Sequence, residues 1–206
     1  MIAVIDYGVG NLFSLTSSLK AVGADTAVTS DPEVIRRADK ILLPGVGAFE
    51  DAKRKLSESG LDKVIVEEVK GGKPILGICL GMQMLFEYSL EYGRHEGLSL
   101  LSGRVVGMEG RLPEELKIPH IGWNSLSVKK SHPIFKYTSD GDFVYFVHSF
   151  YAEGCEDSLL ATTDYGREIT AAVAKDNITG MQFHPEKSGD AGLNILRAFC
   201  EWSYEK

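Results

Sequence analysis

The stretch "PILGICLGMQ", residues 74–83, combines a short apolar run with a cysteine flanked by glycines. The run 74–78 is typical of a buried strand, and the residues from Leu80 to about Tyr88 fit a helix. A glycine two positions to either side of Cys79 suits a sharp strand-to-helix turn, because larger side chains would collide there. The stretch therefore predicts a strand–turn–helix unit with the cysteine at the turn.

The same alternation runs through the first half of the chain. Short apolar strands are separated by amphipathic helices, a pattern that predicts a parallel sheet with helices on both faces. The expected strands are 2–6, 26–29, 40–43 and 74–78, and the expected helices are 11–22, a short one from 32, 48–57 and 61–69.

The second half is richer in strands. They are expected over 104–108, 125–128, 143–147, 159–163, 169–174 and 179–183, before a closing helix over 191–204. We therefore expect an α/β fold, with three αβα layers, a mostly parallel central sheet and an antiparallel extension in the second half. No repeat, low-complexity tract or linker interrupts the sequence, which predicts one domain over residues 1–206.

Composition excludes several classes of function. The formal charge of the 206 residues is −7 without a long basic run, which argues against a nucleic-acid or anionic-membrane surface. No apolar stretch approaches the roughly 18 residues that span a membrane. The odd number of cysteines, three, fits a reducing compartment, so we expect a cytoplasmic protein. No sequence pattern for a metal or nucleotide cofactor is present, so neither is expected.

Ligands of open parallel sheets collect beyond the carboxyl ends of the strands. Residues 7–11 follow the first expected strand, 44–47 the third, Cys79 the fourth and 184–186 the last. Because these glycine turns and reactive side chains stand at equivalent positions, the sequence predicts one shared site.

Cys79 has two interpretations. As a nucleophile, it would be presented to a helix whose free N–H groups and dipole favour the thiolate. The N–H of Leu80 would then face an oxyanion formed at the attacked carbonyl. As a structural residue, it would be a small buried side chain in a tight turn. The turn alone leaves both open, whereas Cys155 and Cys200 have no such surroundings and are expected to be structural.

A thiol nucleophile needs a base. His184 has Glu186 two positions on, a spacing that lets the carboxylate hold the far imidazole nitrogen. An isolated His-Pro-Glu would fit a solvated loop, but together with the cysteine turn it favours catalysis. The order cysteine, histidine, glutamate differs from that of α/β-hydrolases, so that fold is not expected. The histidines without a well-placed carboxylate are His95, His120, His132 and His148.

The loop 44–47 and Gln83 complete the candidate site. The loop is either a simple tight turn or a set of backbone N–H groups for an oxyanion. Gln83 lies one helical turn after Cys79, where its amide can meet a ligand. The other residues of 82–86 are expected in the core.

Several motifs together resemble the class I glutamine amidotransferases, which release ammonia from glutamine with a Cys-His-Glu triad. They are "DYGVGNL" (6–12), "LPGVGAF" (43–49), "GICLGMQMLF" (77–86), "PHIGWN" (119–124), "VHSFY" (147–151) and "QFHPEKS" (182–188). The resemblance covers essentially the whole chain and implies L-glutamine as substrate.

Position by position, the resemblance implies roles for individual residues. The implied triad is Cys79 as nucleophile, His184 as acid–base and Glu186 as its orienter. The implied oxyanion site is Gly45, Val46, Gly47 and Leu80. The implied glutamine contacts are Gln83, Glu91, Ser149 and Phe150. The implied partner contacts are Asn11, His120, Trp123, Asn124 and Lys187.

Within the family, Met82 and "PHIGWN" resemble the branch that serves histidine biosynthesis. That branch implies a heterodimer with a (β/α)₈-barrel cyclase, which receives ammonia through a tunnel. Two alternatives stay open at this point. One is a glutaminase subunit of another synthase, of the anthranilate or pyridoxal phosphate type. The other is a non-catalytic regulatory protein on the same scaffold.

Overall fold

The computed structural model describes residues 1–204. Its strands are β1 (Ile2–Ile5), β2 (Thr26–Thr29), β3 (Lys40–Leu43), β4 (Ile75–Ile78), β5 (Tyr88–Ser89), β6 (His95–Glu96), β7 (Arg104–Gly107), β8 (His120–Ser125), β9 (Ser127–Val128), β10 (Phe143–His148), β11 (Phe150–Glu153), β12 (Leu159–Asp164), β13 (Glu168–Lys175) and β14 (Ile178–Met181). Its α-helices are α1 (Leu12–Ala21), α2 (Pro32–Arg37), α3 (Phe49–Glu58), α4 (Leu61–Lys70), α5 (Leu80–Gln83) and α6 (Gly189–Glu201).

A mixed eight-stranded sheet forms the centre, in the order β2-β1-β3-β4-β14-β13-β12-β9. The first five strands are parallel, and the last three continue antiparallel. The expected α/β fold, with a mostly parallel sheet and an antiparallel extension, is confirmed. β14 comes from the end of the chain yet pairs with β4, so it brings the segment after residue 181 next to the turn after residue 78.

Apolar residues alternate between the two faces of the sheet, as parallel strands covered on both sides require. In β1, Ala3 and Ile5 join the cluster under α2, α3 and α4, whereas Ile2 and Val4 join the cluster under α1 and α6. Each fully buried Leu, Ile or Phe side chain contributes about 1.5–3 kcal/mol through the hydrophobic effect. The two clusters thus hold three layers together.

The helix expected from Leu80 to about Tyr88 is wrong in length. α5 ends at Gln83, and Tyr88 begins the short strand β5. The carbonyl groups that would continue the helix accept tertiary hydrogen bonds instead, because Met84 O pairs with Leu98 N and Phe86 O with Ser99 N. A distant loop therefore ends the helix, which the local sequence pattern does not reveal.

The second half differs from expectation in strand pairing. The strand expected over 125–128 contains β9, which pairs with β12 in the central sheet, but only the last residue of β8, a strand that pairs with β10 and was not predicted. The strands β5, β6 and β11 were not predicted, and with β7 they form a separate four-stranded sheet. Within residues 1–204, no helix is both long and apolar enough to cross a membrane.

Candidate active site

The carboxyl ends of β3, β4 and β14 lie side by side and open onto a cavity of about 440 Å³. Ten of the residues singled out in the sequence line it. They are Val46, Gly47, Cys79, Leu80, Gln83, Glu91, Ser149, Phe150, His184 and Lys187. The geometry thus matches the predicted shared site at the ends of β3, β4 and β14, whereas residues 7–11, which follow β1, do not line the cavity.

Cys79 stands on a strained turn, with φ at 53°, in the left-handed region that non-glycine residues rarely adopt. Its N–H donates to Met181 O at 2.7 Å, which ties the turn to β14. The glycines beside it are required by close packing. A Cβ on Gly77 would lie 2.8 Å from Gly81 O, and a Cβ on Gly81 would lie 1.9 Å from Leu43 O.

His184 and Glu186 form a buried pair next to the thiol. Glu186 Oε1 lies 2.7 Å from His184 Nδ1, which leaves Nε2 as the ring nitrogen free to face Cys79. Burial by itself lowers the pKa of His184, but the neighbouring Cys79 and Glu186 outweigh it and raise the pKa to about 9. The imidazole is therefore held as a cation between the Cys79 sulfur and the Glu186 carboxylate.

The loop 44–47 has a base that is held in place, Pro44 and Gly45, and an exposed tip, Val46 and Gly47. Tyr7 OH donates to Pro44 O at 2.8 Å, and Gly45 is packed so that a Cβ would lie 2.8 Å from Gly81 N. Val46 is 40% exposed, and Gly47 has a φ of +92° with open space around its Cα. Within residues 1–204, the N–H groups of Val46 and Gly47 make no hydrogen bond.

The opposite wall of the cavity carries the expected glutamine contacts. Glu91 is buried, accepts a hydrogen bond from Phe49 N at 2.7 Å, and burial raises the pKa of its carboxyl group. The amide nitrogen of Gln83 donates to Phe150 O at 3.0 Å. The same nitrogen also donates to Gln182 Oε1 at 3.0 Å, so both of its N–H groups are used and the amide oxygen is the atom left for a ligand.

Of the expected partner contacts, Lys187 lines the cavity, and all except His120 are at least partly exposed. Trp123 is 54% exposed on β8, and Asn11 and Lys187 are also exposed. Asn124 is half-buried and donates to Asp164 O at 2.7 Å. His120, by contrast, is only 2% exposed, so its side chain does not reach the surface.

Sequence reasoning missed three residues at this site. Tyr92 and His148 line the cavity, and Gln182 donates through Nε2 to Cys79 Sγ at 3.6 Å. The period of two in extended backbone places Gln182 on the same side as His184, and that signal was available in the sequence. His148 and Tyr92 carry no comparable local signal.

Among the described residues, no group of three or more His, Cys, Asp or Glu side chains is arranged to hold a metal ion.

Comparison with known proteins identifies the class of this chain. The family model "Glutamine amidotransferase class-I" matches residues 3–201, so the chain belongs to the class I glutamine amidotransferases. A crystal structure described as a glutamine amidotransferase shares the fold, with a TM-score of 0.75 and 17% identity over 97% of this chain and 99% of that one. PurLQS from Thermotoga maritima also shares it, with a TM-score of 0.72 and 19% identity over 96% of both chains.

Sequence relatives narrow the class to one family. The chain is 53% identical to "Imidazole glycerol phosphate synthase subunit HisH" of Caldanaerobacter subterraneus subsp. tengcongensis, over 98% of both chains. It is 49% identical to proteins of the same name from Oceanobacillus iheyensis and Methanothermobacter thermautotrophicus, again over 98% of both chains. Within its class, the chain is therefore a member of the HisH family. The branch that Met82 and "PHIGWN" predicted is confirmed.

Proposed function

We propose that this chain is the glutaminase subunit of an imidazole glycerol phosphate synthase, with Cys79, His184 and Glu186 as its catalytic triad. The single observation that carries the proposal is the strained, glycine-packed Cys79 beside the buried His184–Glu186 pair, in one cavity. The names of the relatives support the same assignment. The family model extends over nearly the whole chain, which supports one amidotransferase domain over residues 1–206.

The reaction mechanism follows from the charges of the His184–Glu186 pair. The Cys79 sulfur attacks the carboxamide carbon of glutamine, and the C=O electron pair moves onto the oxygen to give a tetrahedral oxyanion. His184, held as a cation, gives its Nε2 proton to the leaving nitrogen as the C–N bond breaks. Ammonia departs and a glutamyl thioester remains. His184, now neutral, takes a proton from water as that water attacks the thioester, and the C–S bond breaks to release glutamate.

Glu186 holds the imidazole in place throughout. Its Oε2 is buried without a hydrogen-bond partner among residues 1–204, so the Nδ1–H of His184 is what compensates the carboxylate charge. This arrangement favours the protonated imidazole before attack, which is the form that can protonate ammonia.

We infer that the partner controls glutaminase activity through the oxyanion site. Leu80 begins α5, so its N–H has no intrahelical partner and can serve an oxyanion. The second donor comes from the loop tip at Val46 and Gly47, whose N–H groups are unpaired in the described chain. Loss of one such donor typically raises the barrier by about 2.7–4 kcal/mol. Turning one peptide therefore switches the enzyme between poor and good glutaminase.

We infer that the partner is a cyclase with a (β/α)₈ barrel, docked at the cavity mouth. Lys187 lines the cavity, Trp123 and Asn11 are exposed, and Asn124 is half-buried. His120 would support this surface from beneath, because it is buried on the same strand as Trp123. The cyclase takes up ammonia through its tunnel, and docking turns the loop 44–47 toward the oxyanion. The three free thiols fit the cytoplasm as its compartment.

The test is glutamate release from the isolated chain, from its complex with the cyclase, and from the complex with the cyclase's ligand bound. We expect low activity alone and strong activation in the liganded complex. Cys79→Ala should reduce the activity of the complex by about 10,000-fold or more. Cys200→Ala, a half-buried cysteine outside the cavity, is the matched control and should retain activity. Undiminished glutamate release by the Cys79→Ala complex would exclude the triad.

A further inference from the structure

A continuous chain of hydrogen bonds runs from the Cys79 sulfur to one backbone carbonyl through two glutamine amides. Gln182 Nε2 lies 3.6 Å from Cys79 Sγ, and Gln182 Oε1 lies 3.0 Å from Gln83 Nε2. Gln83 Nε2 is also 3.0 Å from Phe150 O. Gln182 is fully buried and does not line the cavity, so the triad and substrate contacts do not account for it.

The carbonyl at the far end determines which way both amides point. Phe150 O can only accept a hydrogen bond, so the Gln83 group that faces it is the NH₂ group. The same NH₂ group reaches Gln182, so Gln182 must present its oxygen to Gln83. The NH₂ group of Gln182 therefore points at Cys79 Sγ, and the sulfur receives a donor.

Two buried histidines, His148 and His120, fit the same orientation of the two amides. His148 Nδ1 lies 2.9 Å from Phe150 O, and so it carries the proton and fills the second lone pair of that carbonyl. His148 Nε2 is then an acceptor, and His120 Nδ1 lies 3.2 Å from it. Burial lowers the pKa of His148 to about 3, which keeps this ring neutral at physiological pH.

The sulfur has few other sources of stabilisation as a thiolate. α5 is only four residues long, so its dipole is smaller than that of the helix expected from the sequence. The His184 cation and the Gln182 amide both interact with the sulfur, and Tyr7 lies close enough for its pKa, raised by burial, to be affected by Cys79. Hydrogen bonds to an ionised acceptor are shorter and stronger than those between neutral groups, so the amide acts chiefly on the charged sulfur.

We propose that Gln182 is a further catalytic residue of the glutaminase reaction, whose amide N–H donates to the Cys79 sulfur. This rests on the proposed glutaminase function. The bond stabilises the thiolate before it attacks the glutamine carboxamide. It stabilises the sulfur again when the thioester C–S bond breaks and the electron pair returns to sulfur. Because Gln182 also accepts a hydrogen bond from Gln83, a readout that involves no glutamine isolates its bond to the sulfur.

The experiment measures alkylation of Cys79 by iodoacetamide against pH, followed by the mass of the Cys79 peptide, in the complex with the cyclase. Gln182→Met keeps the length of the side chain and removes the donor, and Gln182→Leu repeats the loss with a different shape. We expect alkylation at pH 7 to slow about ten-fold and its pH profile to move up by about one unit. The kcat for glutamine should fall by a similar factor.

The matched control is Thr179→Val. Thr179 is fully buried on β14, three residues before Gln182, and donates to Ile75 O at 2.8 Å. The variant loses a buried hydrogen bond from the strand that precedes Gln182 but none at the sulfur, so its alkylation profile should equal that of the wild type.

Three outcomes distinguish the inference about Gln182 from the proposed glutaminase function. A wild-type alkylation profile in both Gln182 variants overturns the inference, whatever the glutaminase result. An equal shift in Thr179→Val also overturns it, because the effect would then be general loosening. A wild-type complex that releases no glutamate overturns the proposed function instead, while a shifted profile in the Gln182 variants would still support the hydrogen bond to sulfur.

Discussion

Two glycine-rich turns stand at the ends of neighbouring strands, and they are built in opposite ways. The turn at Cys79 is packed solid, since a Cβ on Gly77 or Gly81 would overlap backbone atoms. The tip of the loop 44–47 is exposed, and a Cβ on Gly47 would have no neighbour within 4 Å. Glycine is needed in the first turn for close approach and in the second for its positive φ.

This difference shows where the enzyme is preorganised and where it is adjustable. The nucleophile is held by the sheet on both sides and by Met181 O, so it has one position. The loop tip is restrained only through its base, by Tyr7 and the packing of Gly45. If the proposed function holds, a partner would control catalysis by moving the loop tip without disturbing Cys79.

The largest expected effect comes from filling the packed turn. Gly81→Ala would place a Cβ 1.9 Å from Leu43 O, and neither backbone can move without disrupting β3 or the turn. We expect a loss of at least about 3 kcal/mol in the free energy of unfolding, with loss of glutaminase activity. Urea unfolding measures the first, and a wild-type midpoint would show that the turn is not tightly packed.

The matched change in the open loop should affect activity far more than folding. Gly47→Ala meets no steric contact, and its strain at positive φ costs about 1–2 kcal/mol. We expect kcat of the liganded complex to fall about 100-fold, because alanine disfavours the backbone conformations that aim the N–H groups at the oxyanion. Equal losses of stability in Gly47→Ala and Gly81→Ala would remove the contrast between the two turns.

A change of pH should affect the reaction at Cys79 and not the loop 44–47. Since the folded-state pKa of His184 is raised to about 9, its cation persists in neutral solution and is lost as the pH rises through that value. Single-turnover thioester formation should therefore decline above about pH 9. Glu186→Gln removes a charge that raises this pKa, so the decline should begin about one pH unit lower or more. An unshifted pH profile in Glu186→Gln would argue against the interaction between His184 and Glu186.

The smallest effect is expected at the base of the loop. Tyr7→Phe removes the hydroxyl that donates to Pro44 O, which should cost about 1 kcal/mol and lower activation by the cyclase several-fold. Tyr151→Phe is the control, because the Tyr151 hydroxyl is buried without a partner in the described chain. Calorimetry and the activation ratio together test this, and equal behaviour of the two variants would contradict the anchoring role.

The sequence by itself determined the alternation of strands and helices in the first half, the cysteine turn and the His-Pro-Glu base. These features are local, since periodicity and glycine spacing reflect the backbone of a single segment. The tertiary structure decided what depends on distant partners. The loop after residue 97 ends α5 early, and the pairing of β14 with β4 brings Gln182 and His184 to Cys79.

The burial of His120 and the polarity of the glutamine amides likewise follow from contacts between strands far apart in sequence. A residue's hydrogen-bond role depends on which acceptor lies opposite it, and no local pattern encodes that neighbour. The sequence thus predicted the groups to which the proposed chemistry is assigned. Packing decided which turn is rigid, which loop is free, and which donor faces the sulfur.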